Sequence, residues 1–91
     1  MKRAVKIFIS GTVQGVFFRA YVREQAEKLD VKGYVRNLPD ARVEAWLEGD
    51  SEAVGEMVNL CKKGAPHSIV KNVEVQDAKF QDLKEFKILH I

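Results

Sequence analysis

Ninety-one residues, 46% hydrophobic and 31% charged, supply one hydrophobic core and are too few for two, so a single domain over residues 1–91 is expected. A formal charge of +2 gives no argument for a nucleic-acid partner. No apolar run nears the roughly 18 residues of a membrane span, and lysines interrupt any secretory core in the opening MKRAVKIFIS. A cytoplasmic address without a membrane partner is therefore expected.

The first element is AVKIFIS, where Val5, Ile7 and Ile9 alternate with Lys6, Phe8 and Ser10 in the period of a half-buried strand. Gly11 and Gly15 then break the pattern. From Phe18 onward, Phe18, Val22, Ala26 and Leu29 recur at helical spacing, with Arg23, Glu24, Glu27 and Lys28 on the polar side. That helix ends at DVKG, where Asp30 tolerates a left-handed cap.

Two short strands follow, GYVRN and RVEAWLEG, joined through LPDA as a hairpin. Val43, Ala45 and Leu47 share one face of the second. The next helix is expected within GDSEAVGEMVNLCKKG, with Asp50 or Ser51 as its N-cap and Lys62 and Lys63 in its last turn. Its apolar stripe is Val54, Met57, Val58 and Cys61. Gly55 inside it costs ~1 kcal/mol relative to alanine, and close packing on the sheet is the one reason offered for it. APHS reads as a loop, and Ile69–Val75 and EFKILHI read as strands.

The order β-α-β-β-α-β, plus a short last strand, gives two helices with one apolar stripe each, enough to cover one face of a sheet. The result is an α+β sandwich in which the four main strands lie antiparallel in the order 4-1-3-2. A ligand can sit at either strand-to-helix connection without disturbing the core.

One of those connections is ISGTVQGVFFR, residues 9–19. Amides at a helix N-terminus lack intrahelical acceptors and carry partial positive charge. A glycine-rich loop lets successive N–H groups converge on one anion. Arg19 adds a planar fork suited to a phosphate. Residues 1–42 carry nine Lys/Arg against four Asp/Glu, a net of +5, and residues 43–91 carry −3, so the loop lies in the basic half. The Gly-Lys-Ser/Thr ending of a nucleotide P-loop is absent, and so is G-x-G-x-x-G spacing. The bland reading makes the glycines turn residues and Arg19 a solvated first-turn side chain; the residues alone leave both open. Asn37, at the end of a strand before a turn, is likewise either a turn asparagine or a carboxamide that holds water toward an anion in the loop.

Taken together, Gly11, Val13, Gln14, Gly15, Val16, Phe18 and Arg19, with Gly33, Tyr34, Val35, Asn37, Val43 and Gly49, make the chain resemble the acylphosphatase family over its whole length. One place departs: Ala41 stands at the usual turn glycine, at a cost on the order of 1 kcal/mol if the turn needs a positive φ. The resemblance implies a ferredoxin-like fold and hydrolysis of the carboxyl–phosphate bond of acyl phosphates, giving a carboxylate and inorganic phosphate. It implies that the backbone N–H groups of Gln14, Gly15, Val16, Phe17, Phe18 and Arg19 bind the phosphate. Arg19 is then the phosphate-binding arginine and Asn37 the water-positioning asparagine.

No metal, cofactor or enzyme nucleophile is expected. Cys61 lies on a core stripe, His67 in a loop distant from the site, and His90 in a solvated terminus. Two rivals remain. An RNA-binding module on the same fold class needs the K/R-G-F/Y-G/A-F-V-x-F/Y strand, and no strand here has it. A module of a larger hydrogenase-maturation protein is disfavoured by the lack of zinc-finger cysteines and by the chain ending at residue 91, which favour a free-standing enzyme.

Overall fold

The computed structural model describes residues 1–90. Its elements are β1 (Lys2–Thr12), α1 (Val16–Lys28), β2 (Lys32–Asn37), β3 (Val43–Asp50), α2 (Ser51–Lys63), β4 (Ile69–Ala78) and β5 (Phe86–Leu89). The sheet order is β4-β1-β3-β2-β5. The first four strands pair antiparallel, as expected. β5 joins parallel to β2, with Gly33 opposite Phe86 and Arg36 opposite Leu89. The sequence left the partner of that last strand open, and Ile91, at the end of the expected EFKILHI strand, lies outside the described residues.

The core follows from the two periods. Val5, Ile7 and Ile9 from β1, and Val43, Ala45 and Leu47 from β3, are fully buried under the helices. Phe18, Val22 and Ala26 of α1 and Val54, Met57, Val58 and Cys61 of α2 close on them from one side. Asp30 takes a left-handed φ of 56° and ends α1. Asp50 is the N-cap residue of α2, but its side chain makes no capping bond. Gly55 corrects one expectation, because a Cβ there would meet nothing within 4 Å. Close packing therefore does not explain it.

The strand directions fix where a ligand can bind. β1, β2 and β5 run the same way, so their C-terminal ends reach one edge of the sheet. That edge carries the β1–α1 loop, Asn37 and His90. The β3–α2 connection has no loop at all, since Asp50 ends one element and Ser51 begins the next. At the opposite edge, the segment after β4 crosses to β5 and is pinned by Glu48. This fully buried carboxylate accepts from the backbone N–H of Gln81 at 2.9 Å, of Leu83 at 2.7 Å, and from Trp46 Nε1 at 3.0 Å.

Candidate active site

The loop from β1 to α1 is shaped by two glycines. At Gly11 a Cβ would lie 2.1 Å from the carbonyl oxygen of Ile69, where β1 bulges against β4 between Ser10 and Gly11. Only a residue without a side chain permits that approach. Gly15 has open space around it but a φ of 132°, a backbone state that other residues rarely adopt. Gly15 is the N-cap of α1, no side chain caps that end, and its first turn carries no acid. Among the described residues, the helix therefore presents N–H groups with no side-chain cap and no first-turn acid to offset their partial charge. The N–H of Arg19 closes the first turn on the Gly15 carbonyl at 3.5 Å.

Arg19 is buried, at 9% relative exposure, so the solvated first-turn reading does not hold. Its Nε donates to the Gly15 carbonyl at 3.3 Å, and Nη1 lies 3.2 Å from Nδ1 of His90. Among the described residues no carboxylate pairs with it. Burying a guanidinium without a counter-charge is costly, and an anion at the loop would offset that cost.

Asn37 ends β2. In the parallel register that sets Arg36 against Leu89, the next residues on the two strands are Asn37 and His90. The strand holding Asn37 therefore runs beside the one that delivers the imidazole to Arg19. The Asn37 Oδ1 is buried and has no hydrogen-bond partner among the described residues. A buried acceptor left unmade costs roughly 1–3 kcal/mol, and such groups in folded proteins ask for a reason.

The loop is tied to the hairpin by Gln14, whose Nε2 donates to the carbonyls of Leu38 at 2.8 Å and Arg42 at 3.1 Å. The hairpin tip is held by Asp40, which accepts from the Arg42 N–H at 3.1 Å and Arg42 Nε at 2.8 Å. Ala41 does adopt a positive φ, 74°, so the strain expected there is present. It lies at the tip, beyond Asn37.

Two histidines sit differently from expectation. His67 is not distant: with Gly15, Phe17, Phe18, Tyr21 and Pro66 it lines a cavity of about 440 Å³ beside the loop. Its φ of 68° turns the chain just before β4. His90 is not a free tail, since it meets Arg19. Neither was legible, because His67 shares the cavity with loop and helix residues 46 to 52 positions before it and His90 meets Arg19 across 71 positions. Cys61 is buried, and burial pushes its thiol up to about 12, so it stays protonated in the core. Phe17 stands 88% exposed at the mouth of the cavity.

On the helix-free face the aromatics are engaged with their neighbours. Tyr34 stacks on Trp46 with ring centroids 6.4 Å apart, and the Arg42 guanidinium lies 4.8 Å over Phe8. Glu44, buried, accepts from Tyr34 at 2.6 Å and from Arg36 Nε and Nη2 at 3.1 and 3.3 Å.

The family model described as Acylphosphatase matches residues 5–88. The chain is 55% identical over 75 residues to an acylphosphatase of Rubrobacter xylanophilus, covering 82% of this chain and 68% of that one. Its fold superposes on the crystal structure of the acylphosphatase from Bacillus subtilis with a TM-score of 0.92 and 34% identity, covering 99% of this chain and 100% of that one. Full-length HypF, solved in a phosphate- and nucleotide-bound form, contains a similar unit, with a TM-score of 0.84 and 28% identity. That match covers 99% of this chain and 12% of HypF.

Proposed function

Since the chain belongs to the acylphosphatase family, we propose that it hydrolyses the carboxyl–phosphate bond of small acyl phosphates by gripping the phosphoryl group and positioning water against it. The family match over residues 5–88 carries the activity. The buried Oδ1 of Asn37, without a partner among the described residues, carries the assignment of roles.

The loop amides of residues 14–19 and the Arg19 guanidinium hold the phosphoryl oxygens. Asn37 accepts a hydrogen bond from the attacking water through Oδ1. A carboxamide has no lone base to take a proton, so it orients the water and nothing more. The water oxygen bonds to phosphorus as the bond to the acyl oxygen breaks. The pair of electrons leaves with the carboxylate, and the water proton passes to an oxygen of the phosphoryl group itself. Catalysis is then positioning plus fixed positive charge aimed at the transferring group. A mixed anhydride is already activated, so no metal, cofactor or covalent enzyme intermediate enters the scheme. The products are the carboxylate and inorganic phosphate. The cavity beside Phe17 and Tyr21 supports an acyl group that leaves the cradle along an apolar wall.

In this reading residues 1–91 act as one acylphosphatase domain, supported by a core to which both helices and four of the strands contribute fully buried side chains or Phe86. A cytoplasmic setting is supported by the lone, buried Cys61. The absence of a nucleic-acid partner is supported by aromatics that are stacked on one another or covered by Arg42. Among the described residues no helix is long and apolar enough to cross a membrane.

The test is phosphate release from benzoyl phosphate by the purified chain beside Arg19→Ala, each with and without EDTA. Wild type should turn over equally in both conditions. Arg19→Ala should lose nearly all activity, by analogy with arginine fingers worth ~10³–10⁵ in rate. An active Arg19→Ala, or a rate abolished by chelator, would refute the scheme.

A further inference from the structure

Arg19 and His90 stand 71 positions apart in sequence, yet Nη1 and Nδ1 meet at 3.2 Å. A guanidinium has donors only, and it keeps its charge at any pH at which a protein is folded. The ring nitrogen facing it must therefore be the acceptor, which assigns His90 as neutral with its proton on Nε2. Together with the bond from Nε to the Gly15 carbonyl, this contact occupies two of the five guanidinium N–H groups. Among the described residues nothing takes the two hydrogens of Nη2 or the second of Nη1, which leaves them for a ligand. A long side chain normally loses much rotamer freedom when it is fixed on an anion. Here the fixing is done before the anion arrives.

We propose that His90 is a positioning residue: through Nδ1 its neutral imidazole holds the Arg19 guanidinium with its remaining donors turned to the phosphoryl group. This rests on Arg19 being the phosphate-binding arginine. His90 itself is solvent-exposed, so the contact adds little to the core. Its loss is expected in function and not in folding. The residue reaches Arg19 because β5 runs parallel to β2 and ends at the same edge as Asn37.

The test compares wild type, His90→Ala, His90→Asn and Arg19→Ala in three measurements: kcat and KM on benzoyl phosphate, competitive inhibition by inorganic phosphate, and the melting temperature. Losing one hydrogen bond to a charged group should raise the inhibition constant for phosphate in His90→Ala about fivefold and lower kcat/KM about tenfold, with an unchanged melting temperature. Asn places Oδ1 where the imidazole has Nδ1, so His90→Asn should recover most of both losses. If His90→Ala matches wild type in rate and phosphate inhibition while Arg19→Ala is inactive, this inference fails and the function above stands. If Arg19→Ala is active, the function itself fails, and this inference with it. Equal impairment in His90→Ala and His90→Asn also overturns it, because the acceptor is then not what matters.

Discussion

The Gln14 side chain donates to the Leu38 carbonyl at 2.8 Å, which fastens the β1–α1 loop to the residue immediately after Asn37. Two halves of the candidate site, grown from different strands, are thereby held at a fixed spacing. Gln14→Leu keeps the side-chain size and removes both bonds to the hairpin. Turnover on benzoyl phosphate should fall ~10-fold or more, since misplacing a reacting group by about 1 Å costs up to ~10²-fold. The melting temperature should move little, because the bonds are solvent-exposed. An unaltered kcat in Gln14→Leu would mean that the loop finds its place without this tie.

Glu48 is the fold's most deeply placed acid, at 0% exposure, and it receives three N–H donors. Glu48→Gln presents an amide donor toward backbone donors and leaves at least one of them unmatched. A loss of ~2–4 kcal/mol is expected from urea unfolding. The edge that carries the candidate site lies at the far end of the sheet, so kcat of the folded fraction should be retained. A Glu48→Gln protein as stable as wild type would show that the segment at 79–85 is held by other means.

Glu44 and Tyr34 set the expected pH response of stability. Burial acts to raise the Glu44 carboxyl, but hydrogen bonds from Tyr34 and Arg36 outweigh it and hold the group below its ordinary 4.5. Burial first, and then the Glu44 carboxylate, push Tyr34 up from 10.0 to about 12. The stability lent by Glu44 is therefore complete above about pH 4.5 and lost as pH falls through its folded value. That lent by the Tyr34 hydroxyl is complete below pH 10 and lost as pH climbs toward about 12. Denaturant midpoints across pH should fall at both ends, and Glu44→Gln should flatten both limbs. Limbs of unchanged steepness in the variant would assign them to other groups.

Two positions leave stability unused. A Cβ at Gly55 would touch nothing within 4 Å, so Gly55→Ala should stabilise the protein by ~1 kcal/mol through helix propensity. Ala41 holds a φ of 74°, and Ala41→Gly should add ~0.5–1 kcal/mol, the relief of strain exceeding the glycine's extra chain entropy. Calorimetry of each variant reads the result. A lowered melting temperature in either would contradict the corresponding geometry.

Where an element depends on its own period, the sequence was enough. Val5, Ile7 and Ile9 announce a strand, Phe18, Val22 and Ala26 announce a helix, and all six are buried as their spacing requires. The glycine loop and Arg19 were legible for the same reason, being local. What stayed hidden depends on strands meeting far apart in sequence. Glu44 and Glu48 of β3 alternate with Val43, Ala45 and Leu47 as solvent-facing residues do. They are nonetheless buried, because Tyr34 and Arg36 close over Glu44 and the 79–85 segment folds back onto Glu48. His90 resembles an ordinary terminal residue until the parallel pairing of β5 with β2 carries it to Arg19. The tie made by the Gln14 side chain is equally hidden, since nothing local marks Leu38 and Arg42 as its acceptors.

The role of Asn37 is tested most directly by measuring, on one preparation of Asn37→Ala, both the affinity for inorganic phosphate and turnover of benzoyl phosphate. If the carboxamide aligns water and leaves the grip on phosphate to Arg19 and the loop, affinity should stay within about twofold of wild type while kcat drops ~10²-fold or more. Turnover equal to wild type, or phosphate affinity lost in step with kcat, would contradict a water-positioning asparagine.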